Sequence, residues 1–203
     1  MISRRAVLLG LPLVAAGCSA PQTSSPPEMI AQNRYAGPGP RVLSLFTMRN
    51  TSSDGGAHSS LLIDAPSQRI IFDPAGSFRH STIAERNDVL FGVTPEVEAY
   101  YISYHARETF YVLQQTVTVG DAVAEQAASL ALANGPVAQS FCARATSRLL
   151  RQLPGFGSVP QTLFPNALAT GFGRLPGVTE RTWREDDPDN KALALAEIAM
   201  QLR

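Results

Sequence analysis

Three residue types that can together break an acyl bond stand far apart in this chain: His58, Asp73 and Cys142. A cysteine attacks a carbonyl as its thiolate. Two devices produce that anion: the partial positive charge of a helix N-terminus and a neighbouring imidazole. The imidazole in turn needs a third polar group to fix its orientation. Cys142 falls in Ser140-Phe141-Cys142-Ala143-Arg144, where a helix is expected to begin, which places the sulfur in a first turn. His58 follows Gly55-Gly56 at the start of an apolar run, and Asp73 closes a second run, Arg69 to Asp73. Ala65-Pro66-Ser67-Gln68 between the two runs is turn chemistry, so they form a hairpin whose paired residues stand about 5 Å apart. His58 and Asp73 lie at opposite ends of the two runs, and antiparallel pairing brings such ends together. The candidate roles that follow are Cys142 as nucleophile, His58 as base and Asp73 as orienting group.

The other two histidines offer less. His80 sits in a polar stretch and reads as solvated, and His105 reads as a core or loop residue. No spacing of His, Cys, Asp and Glu supplies a set of metal ligands. Neither a Walker loop nor a dinucleotide glycine fingerprint is present, so no cofactor is expected. The formal net charge is zero, which offers no case for nucleic acid as a partner. Tyr100, Tyr101 and Tyr104, with Phe110 and Tyr111, read as core; beside a cleft such aromatics would hold an acyl chain or a sugar.

The elements that must position these residues follow from periodicity and punctuation. Strands are expected over 42–48, 58–63, 69–73 and 110–117. A short helix opens at Pro95, a longer one runs from Ala122 to Ala133 with Asp121 as its cap, and Asn134-Gly135-Pro136 stops it. Further helices are expected over 141–153, after Pro165, and over 193–202. The pattern is α+β: a small antiparallel sheet with helices packed on it.

The N-terminus carries a separate message. Arg4-Arg5 precede a short apolar run, Ala6 to Val14, and small residues end at Gly17, immediately before Cys18. This is an export signal, too short to span a bilayer as a mature helix. Ala15-Ala16-Gly17-Cys18 resembles the lipobox of bacterial lipoproteins, and Ser3-Arg4-Arg5-Ala6 resembles a twin-arginine export motif. The resemblance implies cleavage after residue 17 and lipid attachment at Cys18, which anchors the protein to the membrane facing the periplasm; Ser19 favours the outer membrane. A lipidated Cys18 leaves Cys142 as an unpaired thiol in an oxidising compartment, and such a leftover thiol requires an explanation. Residues 18–40 are rich in Ser, Pro, Gln and Gly and read as a flexible tether, followed by one globular domain over 41–203.

Ala57-His58-Ser59-Ser60-Leu61-Leu62-Ile63 with Ile70-Ile71-Phe72-Asp73, and Phe141-Cys142-Ala143-Arg144-Ala145, resemble the histidine strands and cysteine helix of the circularly permuted NlpC-type, papain-like superfamily, which also has histidine before cysteine. The resemblance spans about residues 41–175 and implies a permuted papain-like fold. It also implies a thiol hydrolase or acyltransferase acting on an amide or ester, with a peptidoglycan peptide or a lipid as substrate. A different class fits the same residues: cysteine is among the most buried residue types, and a buried Cys142 distant from His58 would describe a non-catalytic lipoprotein that binds envelope components or a protein partner.

Overall fold

The computed structural model describes residues 24–201. The expected signal sequence, Cys18 and the expected linker before Ser24 lie outside the described residues.

β1 (Val42–Asn50) is the centre of the molecule. It pairs antiparallel with β2 (Gly56–Asp64) on one side and with β6 (Phe110–Thr118) on the other. β2 continues into the hairpin with β3 (Arg69–Phe72), in the register Leu61↔Phe72 to Asp64↔Arg69. Two short strands, β4 (Glu85–Arg86) and β5 (Val89–Leu90), extend that side, and β7 (Thr179–Trp183) closes the other. The sheet has seven strands in the order β4-β5-β3-β2-β1-β6-β7, every pairing antiparallel. The α+β architecture is the one the sequence pattern predicts.

Six helices surround the sheet among the described residues: α1 (Pro27–Gln32), α2 (Pro95–His105), α3 (Asp121–Ala133), α4 (Cys142–Leu150), α5 (Pro165–Gly173) and α6 (Lys191–Gln201). They divide between two cores. Leu43, Leu45, Leu61, Ile63 and Phe72 face α3, α4 and α5, whereas Phe46, Met48, Leu62 and Ile71 face α2 and α6. Alternate residues of one strand point to opposite faces. With both faces covered, β1 is buried from Leu43 through Met48, and all of that run but Ser44 and Thr47 are apolar side chains. Each such side chain contributes about 1.5–3 kcal/mol through burial.

Several helix signals act as read. Thr94 caps α2, its side chain accepting from the Val97 N–H at 3.3 Å, with Pro95 in the first turn. Asp121 sits one residue further in than a cap; Gly120 occupies that place and Asp121 lies in the first turn, where its charge suits the helix dipole. α4 ends at Leu150 rather than near Leu153, and α6 begins at Lys191. No described helix is long and apolar enough to cross a membrane.

The described part of the linker is corrected by the structure. Residues 24–40 do not stand free of the domain. Ser25 is buried and donates its N–H to the Glu85 carbonyl at 2.8 Å, Ser24 bridges to Arg86, and the Tyr35 carbonyl accepts from the Arg69 N–H at 2.6 Å. Met29 and Ile30 pack on the core. The reason is local: the edge strand β4 presents unpaired backbone groups, and this stretch supplies both partners for them and a few apolar side chains.

Candidate active site

β3 stops after Phe72 because the next two residues are Asp73 and Pro74, and proline has no N–H to continue a ladder. Asp73 turns its own N–H to the Asp88 carbonyl at 2.8 Å. Residues 56–60 of β2 therefore extend beyond the end of β3, and α4 packs against β2.

His58 stands in this stretch of β2, opposite Met48 of β1. Its Nε2 lies 2.6 Å from Asp73 Oδ1. The pairing is diagonal rather than direct. Continuing the Leu61↔Phe72 register puts Asp73 opposite Ser60, with His58 two residues along on the same face. The carboxylate is buried, with 3% of its surface exposed. Gly76 folds over it so closely that a Cβ at that position would stand 1.8 Å from Asp73 Oδ2. Only glycine fits there. Oδ2 itself has no hydrogen-bond partner.

A fourth residue completes the buried network. The Tyr101 hydroxyl, carried by α2, donates to Asp73 Oδ1 at 2.7 Å. It also lies 2.8 Å from Ser60 Oγ. A phenol has one hydrogen, so Ser60 donates to Tyr101 while Tyr101 donates to Asp73. The sequence placed Tyr101 in the core, and it is fully buried. What it missed is that the hydroxyl reaches the acid. One helical turn later, His105 donates Nδ1–H to the Tyr101 carbonyl at 2.8 Å and lies nearly parallel to His58, ring centres 6.1 Å apart. The spacing of Tyr101 and His105, four residues on one helix, was the available signal.

Cys142 opens α4, with Phe141 at the cap and no side-chain cap bond. The left-handed conformation of Ser140, φ 70°, turns the chain into this helix. With Nε2 committed to Asp73, the Nδ1 side of His58 is left for the thiol. Burial raises the Cys142 thiol most strongly, but the His58 hydrogen bond and charge, with the Ser59 N–H and hydroxyl, outweigh it and bring the net pKa below 9.0. His58 shows the reciprocal effect. Burial opposes its charge, yet Asp73 and Cys142 together push the imidazole up to about 10. Burial also raises Asp73, and the charge and hydrogen bond of His58 bring it net below its ordinary range. At neutral pH the proton therefore sits on His58, held by the Asp73 carboxylate on one side, with the Cys142 thiol on the other. His105 behaves oppositely: burial drives it down to about 4 and leaves it neutral.

The thiol and the imidazole open together onto a cleft of about 440 Å³. Met48, Tyr104 and Phe110 form its apolar wall, and Gln139, Ser140, Thr109, Arg107 and Lys191 add polar groups. Of the aromatic cluster, Tyr101 and Tyr104 both belong to the core, and Tyr104 and Phe110 also line the cleft. Gln139, an amide able to polarise a carbonyl, lines the cleft, while Asn134 donates to the Gly135 carbonyl at the surface. His80 lies outside the cleft, with Nδ1 2.8 Å from Thr82 Oγ1. Among the described residues no cluster of three or more His, Cys, Asp and Glu side chains is placed to hold a metal ion.

The structure thus brings His58, Asp73 and Cys142 into one site and leaves His80 out of it. No family model, curated protein or solved structure matches the chain, so what this site can do follows from its own geometry.

Proposed function

We propose that the protein is a thiol hydrolase or acyltransferase of the circularly permuted, papain-like kind, acting on an amide or ester. The observation that carries this reading is the buried relay of Tyr101, Asp73 and His58, with His58 and Cys142 lining the same cleft. A structural cysteine in a core requires no such relay.

The steps follow from the charges. The Cys142 thiolate attacks the substrate carbonyl carbon, and the oxygen becomes negative. The backbone N–H of Cys142, at the start of α4, and the Gln139 side chain on the cleft have the chemistry to receive that oxyanion. As the intermediate collapses, His58 gives its Nδ1 proton to the departing amine or alcohol, which leaves an acyl thioester on Cys142. Water or a second acceptor then attacks the thioester. His58 removes a proton from it and returns to the imidazolium as the thiolate departs. Asp73 holds the ring in place through both halves and keeps its charge.

The lipobox resemblance around Cys18 supports a further part of the reading, an enzyme tethered by lipid to the bacterial membrane and facing the periplasm. Peptidoglycan peptides and lipid acyl groups are the substrates within its reach.

The test is labelling of the full chain with a thiol-reactive acyl probe at neutral pH, wild type against His58→Ala. The expected result is a rate loss of about a hundredfold in the variant. Equal rates would overturn the assignment of His58 as the base.

A further inference from the structure

Arg107 and Lys191 line the cleft and take no part in the steps above. We propose that they form a subsite for a carboxylate carried by the substrate close to its scissile carbonyl, so that the enzyme selects acidic acyl compounds such as peptides with a free carboxyl group. This rests on the thiol hydrolase reading for its meaning, but not for its test.

Arg107 follows α2 by two residues and is only 8% exposed. A guanidinium presents five N–H donors, and burying it is costly unless they are used. Its ion pair is a long one, Nη1 to Asp187 Oδ2 at 3.5 Å, and the Asp187 side chain is 60% exposed. Its Nε has no partner. Arg69 shows how this chain treats a buried arginine that serves the fold: Nη1 donates to the Val93 carbonyl at 2.7 Å, Nε pairs with Asp64 at 3.2 Å, and Nη2 pairs with Glu98. Arg107 has unused capacity, and its side chain lines the cleft that holds the thiol.

Lys191, the sole lysine of the chain, reaches the same cleft from the first turn of α6. Its Nζ lies 3.1 Å from Ser77 Oγ and 4.9 Å from the centre of the Tyr104 ring. These contacts hold the ammonium in place without neutralising it.

The opposing charges decide the kind of anion. Asp189 also lines the cleft, with its carboxylate engaged by the Thr109 hydroxyl and N–H, and Asp187 stands behind Arg107. Two cations against these two carboxylates leave little excess positive charge. A singly charged carboxylate held by directional bonds suits such a wall better than a doubly charged phosphate. The planar fork of arginine matches a carboxylate edge, and the lysine adds a point charge.

The test uses the full chain carrying Cys142→Ala, so that binding is read without thiol chemistry. It is titrated at pH 7 by calorimetry with N-acetylglycine, with N-acetylglycinamide as the neutral analogue and with phenyl phosphate. The acid is expected to bind about tenfold tighter than the amide, with Arg107→Gln removing about that factor and Lys191→Gln about threefold, the amide being unaffected by either. Equal binding of acid and amide would overturn the proposal, as would an acid affinity that neither substitution changes. Phenyl phosphate binding more tightly than the acid would overturn the choice of carboxylate. If Arg107→Gln unfolds the protein, Lys191→Gln at an exposed position decides alone. Failure here leaves the reactivity of Cys142 untouched, and an inert Cys142 leaves this binding result standing.

Discussion

The two ends of β3 each carry a buried ionic cluster, and they are built differently. At the Arg69 end the charges close on one another. Arg69 bonds Val93, Asp64 and Glu98, and Asp64 also takes Arg41 at 3.0 Å. At the Asp73 end the network is left incomplete. Asp73 Oδ1 receives His58 and Tyr101, Oδ2 receives nothing, and the far side of the imidazole meets a thiol on a cleft. Buried charge by itself does not separate a fold staple from a reactive site. The useful distinction is whether the cluster satisfies itself or keeps chemistry in reserve beside a space that a substrate can enter.

The contrast breaks most visibly at Arg69. Arg69→Met leaves Asp64 and Glu98 without their shared partner, and a loss of about 3–5 kcal/mol of stability is expected, read from denaturant midpoints. Thiol labelling per folded molecule should stay at the wild-type rate. A labelling defect as large as the stability defect would mean that the two ends are coupled.

His105 makes the stability of the other end depend on pH. Its folded pKa, about 4, lies below the ordinary 6.5. Between those values the unfolded chain binds a proton that the folded chain refuses, so stability falls as pH falls through that window, by up to about 3 kcal/mol. Glu85, raised to about 7 by burial, acts with the opposite sign between 4.5 and 7, because there the folded state holds the proton. The measurement is therefore a difference: unfolding midpoints of wild type and His105→Gln at pH 6.5 and 4.5. Parallel losses in the two proteins would count against a buried neutral His105.

Asp73→Asn tests what the acid is for. The neutral amide cannot hold the imidazolium, so labelling at pH 7 should drop by about a hundredfold, with a smaller stability change than Arg69→Met produces. The thiolate midpoint of Cys142, read from the pH dependence of alkylation, should rise toward the ordinary 9.0. A midpoint that does not move would show that the helix terminus and Ser59 alone hold the anion.

Tyr101→Phe is the smallest intervention. It removes the donor to Asp73 and the acceptor of Ser60, at a cost of about 1–2 kcal/mol. The Cys142 midpoint should shift in the same direction as in Asp73→Asn, by less. No shift at all would reduce Tyr101 to packing.

Much of this site was legible before any coordinates. Cys142 at a helix start, His58 on a strand behind glycines and Asp73 at the end of the hairpin partner are local features, and local features leave local signatures. The α+β architecture was legible for the same reason, since apolar runs and helix punctuation are read within ten residues or so. Strands β4 and β5 were not, because two residues carry no periodicity, nor was β7, an edge strand whose residues are mostly exposed and polar. The packing of residues 24–40 escaped because their composition is that of a linker while their partners are backbone groups of β4, which no side-chain pattern records.

By itself the sequence determined which groups are available: one thiol and three imidazoles in the folded region, a hairpin, and a helix to carry the thiol. Tertiary structure decided which imidazole is charged. His58 and His105 lie 6.1 Å apart, and one is driven up to about 10 and the other down to about 4. The difference arises because Asp73 and Cys142 converge on the first from residues 15 and 84 positions away, while the second is hydrogen-bonded to a backbone carbonyl and feels Asp73 through its charge alone. Charge in a buried site depends on distances of a few ångströms between residues remote in the chain, and those distances are set by packing.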